Sequence, residues 1–212
     1  MTLKRIAAIG DIHAEDELLE KAINFCRSQV DQIVTVGDIV DGTGDVNRCC
    51  VLLRENKIPA VKGNHERWLL NNEMRLFADV HYLEDIEKEN LQWLRRLPST
   101  LVLQAMSGKA LLCHGLGEND MKTLLPDENG YALSSNEELN KLLRDCEYRY
   151  VIKGHSHRRM VRRLEGVTFI NAGTLLQKHG PGFCIIDFRK QQVQFFDFIN
   201  FEITPRDAIR LP

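Results

Sequence analysis

The chain has 212 residues, 43% of them hydrophobic and 27% charged, with a formal net charge of −2. This is the profile of an ordinary soluble globular protein, long enough for one large core and short for two, so residues 1–212 are read as a single domain. The charge balance gives no dedicated nucleic-acid or membrane surface, and no run approaches the roughly 18 apolar residues of a membrane helix.

The opening "MTLKRIAAIGDIH" carries an apolar stretch far too short for a secretory signal, which points to the cytoplasm. "LKRIAAIG" is a short β-rich run. "AEDELLEKAINFCRSQV" follows with an acidic first turn, and its Leu18, Leu19, Ala22, Ile23 and Cys26 recur at helical spacing. "QIVTVGD" reads as a second strand. "DVNRCCVLLRENK" is a second helix, with Asp45 as its cap and Val46, Cys49, Cys50 and Leu53 on one face. "IPAVKGNH" is a third strand, and the alternation predicts a parallel α/β sheet.

Residues 66–97 read as helical, with Leu83, Ile86, Leu91, Leu94 and Leu97 in one stripe and Pro98 as the stop. Trp68 and Leu69 are taken as the start of that packed helix rather than as a base-stacking platform. "STLVLQA", "SGK" and "ALLCHG" form a strand, a tight turn and a strand. Residues 115–135 are a loop rich in Gly, Asn and Asp, long enough for a lid or substrate loop. "NEELNKLLRDCE" is a further amphipathic helix, and after "YRYVIKGHSH" come the strands "RMVRRLE", "VTFINAG", "GFCIIDF" and "QVQFFDF". Two sheets packed face to face with helices outside fit a chain that is half parallel and half antiparallel. The six cysteines (Cys26, Cys49, Cys50, Cys113, Cys146, Cys184) show no CxxC spacing and read as buried reduced thiols.

The predicted strands end in polar residues: Asp11 and His13, then Asp38 and Asp41, then Asn64 and His65, then His114, then His155 and His157. Ligands bind at the carboxyl ends of strands in open α/β sheets, so these side chains can converge. In an extended segment residues i and i+2 share a face, which would aim His155 and His157 at one region, as a metal site needs. His81 and His179 fall outside this pattern and are read as ordinary surface residues.

In this order and spacing, "DIH", "GDIVD", "GNHE", "CHG" and "GHSH" resemble the motifs of the calcineurin-like metallophosphoesterase family. "INAGT" is similar to the Asn-Pro-Gly-Ser segment of smaller members. The resemblance implies an α/β fold of two mixed β-sheets packed as a sandwich flanked by helices, in four layers αββα. It implies two divalent transition-metal ions, manganese foremost, with iron, cobalt, nickel or zinc as alternatives; mixed imidazole, carboxylate and amide ligands suit these better than calcium. One metal would take Asp11, His13, Asp38 and His157, and the other Asp38, Asn64, His114 and His155, with Asp38 bridging. Two divalent ions, two aspartates and a bridging hydroxide leave a charge near +1 to attract a phosphate.

His65 and Asp41 belong to neither ligand set. The resemblance pairs them, His65 protonating the leaving oxygen and Asp41 orienting and charging the imidazole. Arg67 and Arg158 are candidate substrate contacts, Arg158 lying in the run "HRRMVRR" that otherwise reads as a solvated strand edge. The implied activity is hydrolysis of small phosphomonoesters or phosphodiesters, nucleotides among them. Alternatives are a serine/threonine protein phosphatase, a dinucleoside-polyphosphate hydrolase, a nuclease, or a non-catalytic scaffold of the same fold. The protein phosphatases of this superfamily carry Arg after the second Asp of "GDxxD", where this chain has Gly42; scaffold members tend to lose ligands, and here every ligand position is filled.

Overall fold

Strand β1 (Arg5–Ile9) is buried on both faces, which its unbroken apolar run dictates: Ala7 and Ile9 point to one side, Ile6 and Ala8 to the other. The computed structural model describes residues 2–145 and 147–211. After β1 come α1 (Asp16–Cys26), β2 (Gln32–Thr35), α2 (Val46–Glu55), α3 (Asn64–Asn71) and α4 (Lys88–Arg96). The second half holds β3 (Thr100–Ala105), β4 (Gly108–Cys113), α5 (Gly130–Ser134), α6 (Glu137–Asp145), β5 (Tyr150–Lys153), β6 (Met160–Leu164) and β7 (Val167–Asn171). The chain closes with β8 (Gly182–Asp187), β9 (Gln192–Ile199) and β10 (Glu202–Arg210).

Two five-stranded mixed sheets result, in the orders β10-β9-β8-β1-β2 and β3-β4-β5-β7-β6. In the first, β1 runs parallel to β2 and antiparallel to β8; in the second, β4, β5 and β7 are parallel. Three apolar clusters separate four layers. Ile6, Ala8, Val34 and Val36 meet Leu112, Tyr150, Ile152 and Ile170 between the sheets. Leu18, Leu19, Cys49, Leu53 and Leu94 cover the outer face of the first sheet, and Leu139, Leu142 and Leu143 that of the second. The expected αββα sandwich is therefore the observed one. Each large aliphatic side chain buried in it contributes about 1.5–3 kcal/mol.

The predicted helix faces of α1 and α2 are the buried ones, and Asp45 caps α2 by accepting the Arg48 N–H at 2.9 Å. Cys26, Cys49, Cys50, Cys113 and Cys184 are buried free thiols; Cys146 lies outside the described residues.

Two expectations are corrected and one strand is added. The third strand shrinks to a single parallel bridge between Thr35 and Ala60, because Pro59 offers no N–H to a ladder. The helix expected over 66–97 breaks at Asn72, whose φ is 56°, and irregular backbone follows through residue 82, with Met74 and Asp79 also left-handed. The strand β10 had no apolar alternation to announce it; it pairs with β9 at the sheet edge, with a bulge between Pro205 and Ala208.

Candidate metal centre and active site

The carboxyl ends of β1 and β2 in one sheet, and of β4 and β5 in the other, meet at one edge of the sandwich. The loops after β1 and β2 are zipped together: the Asp38 carbonyl accepts the N–H groups of Ile12 and His13, both at 2.8 Å. His13, Asp38, Asp41, His155 and His157 all have positive φ, between 47° and 68°, a conformation that costs a non-glycine residue about 1–3 kcal/mol. "GHSH" is thus not an extended segment. Left-handed turns at His155 and His157, not strand alternation, bring both rings to the site.

Two motif glycines are required by close approach. A Cβ at Gly63 would overlap Asp38 Oδ1, and one at Gly154 would overlap Asp11 Oδ1. Glu66, fully buried, accepts four backbone N–H groups: Ile39 and Val40 at Oε1 (2.6 and 3.1 Å), Asp38 and Gly63 at Oε2 (2.9 and 2.8 Å). It welds "GDIVD" to "GNHE". Glu66→Ala strands all four donors, and at about 1–3 kcal/mol per buried unsatisfied group the unfolding free energy should fall by about 3 kcal/mol or more. Urea unfolding measures this, and a loss below about 1 kcal/mol would overturn it.

The ligand atoms converge in two groups. Asn64 Oδ1 lies 2.9 Å from both His114 Nε2 and His155 Nδ1, and Asp38 Oδ2 is 3.2 Å from His114 Nε2. On the other side, His13 Nε2 and His157 Nε2 face each other at 3.1 Å, Asp11 Oδ2 is 3.3 Å from His157 Nε2, and Asp38 Oδ2 is 4.0 Å from His13 Nε2. Asp38 therefore touches both groups. The second nitrogens fix the tautomers: Nδ1–H of His13 donates to the Asp41 carbonyl at 2.9 Å, and that of His114 to the Val36 carbonyl at 2.8 Å, so each turns an Nε2 lone pair inward. Asp11 Oδ2 is buried with no hydrogen bond. Facing lone pairs and an orphaned carboxylate oxygen fit a divalent cation.

The protonation tendencies of His13, His155 and His157 agree. Burial drives His155 down to about 4 and His157 to about 3, and lowers His13, so these rings are neutral as ligands must be. Burial raises Asp11 to about 7. Asp38 goes the other way: burial opposes its charge, but His114, His65 and His13 outweigh it and hold the carboxyl low. For His114, burial is likewise outweighed, by Asp38 and Asp11, and the ring rises to about 9, its proton compensating the carboxylates that a cation would compensate.

His65 also comes close, its Nε2 4.0 Å from Asp38 Oδ2, and it groups geometrically with His13 and Asp38. Its Nδ1–H, however, donates to Asp41 Oδ2 at 2.7 Å, and against the opposing effect of burial Asp41 and Asp38 raise its pKa. With Nδ1–H committed to a carboxylate and the charged form favoured, the ring is arranged to present an Nε2–H to the site. Asp41 is itself gripped by Arg75, Nη1 to Oδ1 at 2.9 Å and Nη2 to Oδ2 at 2.8 Å, and by the His81 N–H at 2.8 Å; the Asp41 N–H donates to His81 Nδ1 at 2.9 Å. His81 is thus no surface residue. His179, expected at the surface, is exposed, yet its Nδ1 sits 2.7 Å from His157 Nδ1 and orients that ring. Asn171 of "INAGT" donates to the Gly154 carbonyl (2.7 Å) and Ser156 Oγ (3.0 Å), buttressing the "GHSH" turn. Buried Lys153, which sequence reasoning passed over, donates to Thr123 Oγ1 and the Gly154 carbonyl, both at 2.8 Å.

Arg67 is held by Asp120 (2.7 and 3.0 Å) and Glu73 (3.1 Å), and Arg158 by Asp127 (3.0 and 3.3 Å). The pairs with Asp120 and Asp127, together with Thr123 on Lys153, staple down the loop 115–135. Beside His65 opens a cleft of about 630 Å³, lined by Trp68, Phe77, Val80, Leu176 and Lys178 among others. Among the described residues no helix is long and apolar enough to cross a membrane.

Over 70 residues the chain is 40% identical to serine/threonine-protein phosphatase 1 of Salmonella typhimurium, a match spanning 32% of each protein. Its fold is similar to that of a metallophosphoesterase from Sphaerobacter thermophilus (TM-score 0.70, 23% identity, 91% of this chain and 87% of that one). It is also similar to that of a hypothetical protein from Pyrococcus horikoshii (TM-score 0.73, 16% identity, 93% and 88%). Residues 5–191 match the calcineurin-like phosphoesterase superfamily domain, and with the motif residues gathered at one sheet edge, the chain belongs to that family.

Proposed function

We propose that residues 1–212 form one metallophosphoesterase domain that hydrolyses small phosphomonoesters or phosphodiesters, nucleotides among them. The observation that carries this reading is the bipartite cluster around Asp38, with the His65–Asp41 pair at its edge. Asp11, His13, Asp38 and His157 would hold one divalent ion, and Asp38, Asn64, His114 and His155 a second, manganese being the first choice. Such ions supply a water of lowered pKa as nucleophile and offset the phosphoryl charge.

The chain's own residues do the rest. The Asp41 carboxylate fixes the His65 ring with Nε2 toward the site, and that Nε2–H is donated to the oxygen that leaves phosphorus. The neutral imidazole then regains its proton from solvent through the cleft. Buried neutral histidines and Asn64 keep the site's negative charge low, which favours an anionic substrate. The buried thiols suit a reducing compartment such as the cytoplasm.

A panel of phosphomonoesters, diesters, nucleotides and phosphopeptides, run with manganese-reconstituted protein, tests the reading. Hydrolysis that a chelator abolishes and manganese restores is the expected result; no turnover of any ester would overturn it. The match to a protein phosphatase favours a second reading, phosphopeptide hydrolysis. Gly42 cannot supply the charge-assisted hydrogen bonds of the Arg found there in those enzymes. A phosphopeptide should therefore show a kcat/KM about tenfold or more below small esters. A phosphopeptide ranking first would reverse the order.

A further inference from the structure

The cleft is asymmetric about the site. His13, His157, Asp41 and His65 line it, whereas Asn64, His114 and His155 do not. It therefore opens from the His65 end, where the proton donor stands. A phosphoryl group seated at Asp38 with its leaving oxygen toward His65 would send the remainder of the leaving group into this cleft.

The lining says what that group is. At about 630 Å³ the cleft matches the 300–1,000 Å³ of ordinary small-molecule sites. It has an apolar part: Trp68, whose ring meets His65 edge-on at 4.8 Å between centroids, with Phe77, Val80 and Leu176. Phe77 is 56% exposed, so a large aromatic surface faces solvent where nothing in the core needs it. Polar groups line it as well: Thr43, Lys178, and Gln177, which Glu15 fixes by accepting N–H and Nε2–H bonds of 3.1 and 2.9 Å. Glu15 and Asp79 line the cleft too, which disfavours a leaving group carrying phosphates of its own.

We propose that this cleft is the leaving-group site and that it takes an uncharged aromatic alcohol of nucleoside size, its base against Trp68, Phe77 and Leu176. The assignment rests on the phosphohydrolase reading. In the step it serves, water oxygen bonds to phosphorus and the water's proton is released to solvent, the P–O bond to the nucleoside breaks, and the His65 proton goes to the departing oxygen; His65 is reprotonated from solvent, and the products are nucleoside and phosphate (or a phosphate monoester from a diester).

Two measurements on manganese-loaded protein test it. In the first, adenosine is titrated against tryptophan fluorescence. Quenching is expected in the wild type and should vanish in Trp68→Phe, which leaves only Trp93 to report; Phe77→Ala should weaken the affinity about tenfold, the scale of losing one stacking partner, and Phe77→Tyr should restore it. In the second, kcat/KM for adenosine 5′-monophosphate is compared with that for glycerol 3-phosphate, each also as its methyl diester. Both leave as primary alkoxides and differ only in the group that would fill the cleft. The adenosine ester should be preferred about tenfold or more, and the preference should collapse toward unity in Phe77→Ala. Absence of adenosine binding, or equal rates for the two esters in the wild type, would overturn the assignment while turnover of bis-p-nitrophenyl phosphate left the phosphohydrolase reading standing. No turnover of any ester would overturn both.

Discussion

Asp38→Asn should strip the protein of both divalent ions and lower kcat/KM by about a thousandfold, the scale of losing several kcal/mol of charge stabilisation in the transition state. The substitution preserves shape, and its side-chain oxygen can still accept the His65 N–H, a bond of 3.0 Å in the native protein. What it removes is a negative charge that lies against the inward-facing nitrogens of both ligand groups, 3.2 Å from His114 Nε2 and 4.0 Å from His13 Nε2. His157→Ala, by contrast, touches only the group of Asp11 and His13, and should mainly weaken one ion. Metal content of the purified variants by plasma mass spectrometry separates the two cases. Two ions fully retained in Asp38→Asn would refute the bridging role.

His65→Ala should divide substrates by leaving group. A p-nitrophenolate departs largely unaided, whereas a ribose or glycerol oxygen needs a proton, and removing a general acid costs about 10²–10⁴-fold where that proton is needed. The loss in kcat should be of that size on an alkyl or nucleoside ester and much smaller on the p-nitrophenyl ester, with metal content unchanged. Asp41→Asn should follow the same pattern more mildly in its kinetics. It carries a second cost, because the Arg75 side chain is only 8% exposed and loses the carboxylate that it grips. Equal losses of kcat on both ester types in His65→Ala would make His65 a phosphate-binding group, and loss of metal would make it a ligand.

The parts of this site legible in the sequence are those that strand ends announce. "AAIGD", "VTVGD" and "YVIKGH" each change from an apolar run to glycine and then to a ligand type within a few residues, so the order and identity of Asp11, Asp38 and His155 could be read without coordinates. The supporting residues could not. Arg75 and His81 follow Asp41 by 34 and 40 positions, in a stretch whose helical periodicity is overridden by their attachment to that carboxylate. His179 reaches His157 across 22 residues from a short 3₁₀ turn with no motif of its own. Glu66 was visible as the last letter of "GNHE", yet only the structure shows that its work is to bind four backbone amides. Trp68, read as a packing residue, proves to share α3 with a better one: Leu69 is buried, and Trp68 turns to the cleft.

The place of β1 between β2 and β8 has a consequence for a chain emerging from the ribosome. Every ligand type lies within residues 11–157, but Asp11 is held by residues further on: its N–H donates to the Gly173 carbonyl at 3.2 Å, and its own carbonyl accepts from Thr174 Oγ1 at 2.8 Å. β1 itself lacks its antiparallel neighbour until Gly182–Asp187 appear. Pairings between residues so far apart in sequence close late and slowly. A nascent chain that has already exposed all seven proposed ligands therefore still lacks the strand and loop that hold Asp11 in place. An ion bound by this site would join a nearly complete fold rather than serve as a template for the first half of the molecule.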